Sequence, residues 1–275
     1  MNINIKGKLL NLSQPKVMGI LNVTPDSFYE GSRKQTEPEI LARVEEIVSQ
    51  GGDIIDIGAQ STRPTSQPVG EQEEIKRLDY ALNIIRKRYP DAVVSVDTFY
   101  ASAARFCVEE YGADIVNDIS GGEIDKNMFE TVADLHVPYV LMHMRGQPST
   151  MQQFTGYNNL LRDIFYWFST KIADLHRLGV NDIIIDPGFG FSKNLQQNYE
   201  LMSRLADFRI FKLPLLVGIS RKSMIYTLLE TTPTGSLNGT SVLNAFSLLN
   251  GANILRVHDV REAVETVKIV QQIKQ

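Results

Sequence analysis

Cysteine is almost missing from this chain: Cys107 stands alone among 275 residues. An intrachain disulfide is therefore impossible, and a zinc site built on several thiolates is excluded. Its setting, Ala104-Arg105-Phe106-Cys107-Val108-Glu109, reads as helix, so the thiol is expected to act as a small buried hydrophobe. The four histidines, His136, His143, His176 and His258, are scattered and show no metal-ligand spacing. No apolar run reaches the roughly 18 residues of a membrane span. No block of five like charges occurs, and the net charge is only −4, with 28 basic against 32 acidic residues. A nucleic-acid tail or polybasic anchor is thereby excluded, and any bound anion must be met by a few placed cations. Met1-Asn2-Ile3-Asn4-Ile5-Lys6 lacks the basic and apolar regions of a secretory signal, so a cytoplasmic location is expected. Neither Gly-x-Gly-x-x-Gly nor a Walker loop is present; Asp186-Pro187-Gly188-Phe189-Gly190-Phe191 is glycine-rich without the dinucleotide spacing.

What is present is a rhythm. Eight short β-branched apolar runs each end abruptly in polar residues: Val17–Asn22, Ile54–Gln60, Val93–Thr98, Ile115–Ser120, Tyr139–Met144, Ile183–Gly188, Leu215–Ser220 and Ile254–Asp259. Such runs read as parallel strands buried on both faces. They recur about every 34 residues, one βα unit apart. Between them, Ile40, Val44, Ile47 and Val48, then Ile75, Leu78, Leu82 and Ile85, follow the 3.6-residue period of helices. A further helix opens at Leu160, one carries Leu243, Phe246 and Leu249 up to Asn250-Gly251, and a last one runs from about Arg261 to Ile273. Eight alternating pairs predict a single-domain (β/α)8 barrel over residues 1–275, with a hairpin in Met1–Pro15 covering its bottom. The aperiodic stretches Thr24–Pro38, Ser61–Gly70 and Arg145–Tyr157 follow strands one, two and five, on the side where barrel enzymes keep their working loops.

The strand ends therefore define the chemistry: Asn22, Ser61-Thr62-Arg63, Asp97, Asn117-Asp118, His143, Asp186, Ser220-Arg221-Lys222-Ser223, and Arg256 with His258. This mixture suits a substrate with a polar heterocyclic end and an anionic end. Alternation allows only one of Asn117 and Asp118 to face the barrel interior. Asp56, inside a strand, reads as a buried structural carboxylate, and His143 as a satisfied core histidine. Lys222 fits either a Schiff base or a fixed positive charge. Arg256 and His258, two apart on one strand face, aim two cations at one point, where barrels often bind phosphate. Replacing either by alanine is expected to weaken anion binding and leave the fold intact. A Mg²⁺ ion held mainly by phosphate and water needs one or two protein oxygens, and Asn22 can supply one.

In sum these segments resemble dihydropteroate synthases, the folate-pathway enzymes that sulfonamides inhibit. Met18-Gly19-Ile20-Leu21-Asn22-Val23-Thr24-Pro25-Asp26-Ser27-Phe28 is similar to that family's first signature, and Ser61-Thr62-Arg63-Pro64 and Ser95-Val96-Asp97-Thr98 to the next two. Val116–Gly122, Leu141–Met144, Asp186–Phe191, Gly218–Ser223 and Arg256–Asp259 complete the set, in order, at all eight strands. There are departures: Gly58-Ala59-Gln60 stands where the family has Gly-Gly-Glu, and Tyr29-Glu30-Gly31-Ser32 where it has Ser-Asp-Gly-Gly.

The resemblance implies a transferase that condenses 6-hydroxymethyl-7,8-dihydropterin diphosphate with 4-aminobenzoate, with Mg²⁺ as cofactor and a homodimer as assembly. It implies that Asp97, Asn117, Asp186 and Lys222 hold the pterin edge. Arg256 stacks on the ring and, with His258, Thr62 and Asn22, reaches the diphosphate; Asn22 also touches Mg²⁺. Phe28, Arg63, Pro64, Phe191 and Ser223 shape the aminobenzoate pocket. Asn22, Asp97 and Lys222 are the expected catalytic residues. A methyltetrahydrofolate-dependent methyltransferase, a Schiff-base aldolase and a silent pterin-binding subunit are the alternatives.

Overall fold

The chain begins with the expected hairpin. In the computed structural model, which describes residues 1–24, 36–60 and 69–274, strand β1 (Asn2–Ile5) pairs antiparallel with β2 (Lys8–Asn11). The two-residue turn places Lys6 at φ 50° and Gly7 at φ 79°, the positive-φ pair that matches the twist of a tight hairpin. Ile3, Ile5 and Leu12 are buried against Met18, Ile54, Ile115, Val140, Ile184, Leu216 and Ile254. Those seven lie at the amino-terminal ends of seven strands, so the hairpin plugs the bottom of the barrel. Lys6 reaches Asp114 at 2.6 Å and the Asn4 amide donates to Asp182 at 2.9 Å, fastening the plug.

Eight parallel strands form the wall: β3 (Lys16–Asn22), β4 (Ile54–Gly58), β5 (Val94–Asp97), β6 (Ile115–Asp118), β7 (Tyr139–Met142), β8 (Ile183–Asp186), β9 (Leu216–Val217) and β10 (Ile254–Val257). The order runs β8-β7-β6-β5-β4-β3-β10-β9, and a single parallel bridge, Ile185 to Leu215, closes β8 onto β9. Strand starts agree with the sequence reading to within one residue. The end of β3 agrees, β5 stops one residue short and the other six two or three short, because there the chain leaves the ladder to build the rim.

Among the described residues the outer layer comprises α1 (Glu37–Ser49), α2 (Glu71–Arg88), α3 (Ala101–Tyr111), α4 (Met128–Leu135), α5 (Leu160–Arg177), α6 (Leu195–Ser203), α7 (Ser223–Tyr226), α8 (Leu237–Leu249) and α9 (Val260–Ile273). The main core lies between helices and strands, from Val17, Leu21, Ile55 and Ile57 round to Leu255 and Val257. Cys107 is buried there, and desolvation lifts its thiol far above the usual range, as expected of an inert core residue. No described helix is long and apolar enough to cross a membrane.

Candidate active site

Side chains alternate along a strand, and that parity sorts the barrel interior into two storeys. The lower storey holds the apolar residues under which the hairpin packs. Two residues further along, four strands turn polar: Ile54 gives way to Asp56, Ile115 to Asn117, Ile184 to Asp186 and Ile254 to Arg256. The same step along β9, from Leu216, leads to Gly218, while β3 and β7 keep Ile20 and Met142. The upper storey is therefore largely polar and opens at the carboxyl ends of the strands.

Arg256 is its centre. Nε donates to Asp56 Oδ2 at 2.6 Å and Nη2 to Asp97 Oδ2 at 2.5 Å, and Asn117 Nδ2 donates to both Asp56 oxygens at 3.2 and 3.3 Å. Asp56 is 0% exposed, a depth that a carboxylate tolerates only with such partners. Burial opposes charge on Arg256, but Asp56 and Asp97 outweigh it and raise its pKa. Asp97 goes the other way: burial, with Asp56 adding repulsion against the pull of Arg256, pushes it up to about 7. The expectation that replacing Arg256 leaves the fold intact is thus corrected. The guanidinium neutralises a carboxylate fully inside the barrel, so its removal destabilises the fold.

Opposite stand Asp186 and Lys222. Burial raises the pKa of Asp186 against the attraction of Lys222, and its Oδ1 accepts from Gly188 N at 2.8 Å. Lys222 donates to the Phe189 carbonyl at 2.7 Å and lies 4.6 Å from the centroid of the Phe191 ring. Burial, opposed by Asp186 and aided by Arg256, lowers it to about 8. Each of Asp97 and Asp186 feels both Lys222 and Arg256, so these four share one electrostatic basin with Asn117. Gly218 leaves it open: a Cβ there would sit 3.7 Å from Arg256 Cβ and 3.9 Å from Lys222 Nζ.

Asn22 ends β3 and is exposed at the mouth. His258 follows β10, its Nδ1 3.1 Å from Ser220 Oγ. The residue keeps solvent exposure, yet ring burial and Arg256 depress its pKa to about 4. The sequence reading of two cations is corrected accordingly: without a bound anion, His258 is neutral at pH 7. Ser223 opens α7 and is exposed, while Phe191 is buried in an apolar shelf with Phe99, Ile119, Met142, Met144 and Met151. Phe28, Thr62, Arg63 and Pro64 lie outside the described residues.

Two rim candidates turn away. Asp118 points outward and accepts from Ser120 N at 2.7 Å, Gly122 N at 2.8 Å and Tyr139 Oη at 2.7 Å, which makes it a structural carboxylate and leaves the interior to Asn117. His143 packs edge-on against Trp167, with centroids 5.1 Å apart, and burial pulls its pKa well below the usual range. Parity alone predicts this, since Met142 faces inward. Gln60 clamps Val69 through both backbone groups, at 2.7 and 2.9 Å, and donates to buried Glu74 at 2.5 Å. Sequence reasoning overlooked the apolar shelf, the link from Asp56 to Arg256, and a buried lysine, Lys193. Of these, only the shelf and Asp56 were findable, by counting alternation from the lower storey.

Comparison with known proteins gives a consistent result. Residues 18–258 match the model of the family described as "Pterin binding enzyme". The chain is 40% identical to the dihydropteroate synthase of Escherichia coli K12 over 273 residues, 98% of this chain and 96% of that one. It superposes with a TM-score of 0.92 on a Yersinia pestis dihydropteroate synthase in complex with a sulfonamide drug, at 40% identity, covering 100% of this chain and 99% of that one. A Thermus thermophilus dihydropteroate synthase in complex with 4-aminobenzoate gives a TM-score of 0.89 at 32% identity, covering 99% and 100%.

Proposed function

Because the chain belongs to the pterin-binding enzyme family, and within it to the dihydropteroate synthases, transferases of folate biosynthesis, we infer that its polar storey condenses 6-hydroxymethyl-7,8-dihydropterin diphosphate with 4-aminobenzoate. The observation that carries this assignment of residues is the inward convergence of Asp97, Asn117, Asp186, Lys222 and Arg256 on one basin. A pterin edge offers amide-like donors and acceptors, which buried carboxylates and an amide bracket. Arg256, pivoting on Asp56, gives up Asp97 to the ring and stacks above it. Neutral His258 gains a proton when the diphosphate arrives and, with Arg256, Thr62 and Asn22, holds the leaving group.

No three His, Cys, Asp or Glu side chains among the described residues gather as a metal site. A single amide oxygen at an open mouth, Asn22, fits Mg²⁺ held chiefly by diphosphate and water. When bound, the ion offsets charge on the departing diphosphate. The protein's own part is electrostatic. As the carbon–oxygen bond to diphosphate breaks, positive charge spreads over the dihydropterin, and ionised Asp97 stabilises it. The 4-aminobenzoate amine then attacks the exocyclic carbon and loses a proton to solvent. Its pocket uses Phe191 and Ser223 beside Lys222, and Phe28, Arg63 and Pro64. No covalent intermediate on Lys222 is required.

The test is diphosphate release from the pterin diphosphate, with and without 4-aminobenzoate and Mg²⁺; no release with all three present would sink the reading. Asp97→Asn and Asp186→Asn each remove a charged acceptor worth about 1.5–3 kcal/mol. Binding of the pterin diphosphate is expected to weaken about tenfold or more, by calorimetry. The free-enzyme profile of kcat/KM is expected to rise as Asp97 ionises near pH 7 and to fall as Lys222 loses its proton near pH 8. A profile flat from about pH 6 to 9 would mean neither group titrates in the free enzyme.

The reading includes a homodimer and a cytoplasmic location. Val242, Phe246 and Leu249 line one exposed face of α8, with Leu228 and Leu229 exposed nearby in sequence, an apolar surface suited to a second copy. Light scattering is expected to give twice the chain mass.

A further inference from the structure

Lys193 takes no part in the scheme above, yet it is one of the most deeply buried charged groups in the molecule, 2% exposed. It belongs to the loop from β8 to α6, and its side chain reaches back under the Gly188–Phe191 stretch of that loop. Its Nζ is 3.1 Å from His143 Nδ1 and donates to the carbonyls of Gly188 and Phe191, both at 3.0 Å, and of His143 at 3.4 Å. All of its hydrogen-bond partners among the described residues are neutral. A buried ammonium with no carboxylate in direct contact is expensive to keep, so its presence calls for a function.

The loop above it is held at nearly every peptide. Gly188 N–H is fixed by Asp186, Gly188 and Phe191 carbonyls by Lys193, and the Phe189 carbonyl by Lys222. Gly190 N–H goes to Asn198 Oδ1 at 2.7 Å, and Asn198 itself is tied to the Lys193 carbonyl at 3.1 Å. Gly188 is thus gripped from two sides, by an anion at its amide and a cation at its carbonyl. The same Asp186 and Lys222 are the groups assigned to the pterin.

We propose that Lys193 is a positioning residue for pterin recognition: its ammonium locks the Gly188–Phe191 loop in the conformation that aims Asp186 and Lys222 at the ring. The proposal rests on the assignment of those two residues to pterin binding. The charged and titratable groups facing Lys193 are Asp186 at the end of β8, Lys222 after β9, and Arg145 and His143 after β7. Burial, with Lys222 and Arg145 adding repulsion, lowers its pKa to about 7, and Asp186 is the one that holds the proton on. Asp186 and Lys193 therefore support each other across Gly188.

The experiment is steady-state kinetics of Lys193→Met in the full-length enzyme, with folding checked by circular dichroism and thermal melting. KM for the pterin diphosphate is expected to rise about tenfold or more. KM for 4-aminobenzoate, at saturating pterin diphosphate, is expected to rise several-fold less than that, because Phe191 is the one residue of this loop in its pocket. Lys193→Arg, which keeps the charge, should recover part of the loss. A variant that merely loses active molecules, with both KM values unchanged, overturns the proposal. If Lys193→Met does not fold, Lys193→Gln, which keeps an N–H donor, is judged by the same split. Failure of both to fold assigns Lys193 to the core and also overturns it. Absence of turnover in the wild-type enzyme would instead strike the reaction assignment itself.

Discussion

Arg256→Ala is expected to cost about 3–5 kcal/mol of folding stability and to abolish measurable turnover. The guanidinium is the only cation hydrogen-bonded to Asp56, which is 0% exposed, among the described residues. Without it, Asp56 and Asp97 confront each other with only the Asn117 amide bound to the former. Asp97, already raised by burial, loses the pull of Arg256 and binds its proton more tightly in the folded than in the unfolded state. The stability deficit relative to wild type is therefore largest above its raised folded pKa and shrinks as pH falls through it. Urea denaturation at about pH 8 and pH 5 reads this directly. Adding Asp56→Asn should return part of the loss, because the pair is coupled. A deficit under about 1 kcal/mol at the higher pH would mean water replaces the guanidinium without penalty.

Gly188→Ala is expected to be nearly as damaging. The residue has φ +71°, and a Cβ would collide with the His143 carbonyl oxygen, a backbone atom that cannot rotate away. Left-handed backbone costs an alanine about 1–2 kcal/mol, and relieving the collision adds strain of similar size. A loss of order 3 kcal/mol is expected, together with weaker pterin binding, since Gly188 carries the amide that fixes Asp186. Gly190→Ala is the comparison. Its φ is +82°, but the atom met, at 3.2 Å, is Cδ of the flexible Lys222 side chain. That variant should lose about 1–2 kcal/mol. Equal melting temperatures for the two would refute the collision argument.

Much of this was legible in the sequence, for definite reasons. Parallel strands buried on both faces leave apolar runs that stop where the rim begins, so Ile54, Ile115 and Ile254 announce β4, β6 and β10. The plug was legible because Lys6-Gly7 sits between two short apolar pieces. Helices α4, α6 and α7 were missed: each is under three turns long, too short for an apolar period to repeat. Alternation, applied strictly, would have turned Asp118 and His143 outward. What no local pattern could show is partnership at a distance. Arg256 meets Asp56 across 200 positions and Lys193 meets His143 across 50, and only the closed barrel brings them together. Charge states were hidden for the same reason: burial in the closed barrel, with Asp56 of another strand adding repulsion, is what lifts Asp97.

The barrel wall is not equally strong all round. Five-residue pairing joins β3 to β4, whereas β9 is two residues long and meets β8 through the lone Ile185–Leu215 bridge. Amide exchange should find that seam the easiest place for the wall to breathe, because few ladder bonds must break there. Asp186 ends the strand on one side of the seam, and Lys222 follows the strand on the other. A ligand held by both would act as a clasp across the weakest join. Pterin should therefore slow deuterium uptake along Ile184–Asp186 and Leu215–Val217 more than along β4, even though Asp56 lies close by. Substrate, on this view, completes the cylinder that encloses it.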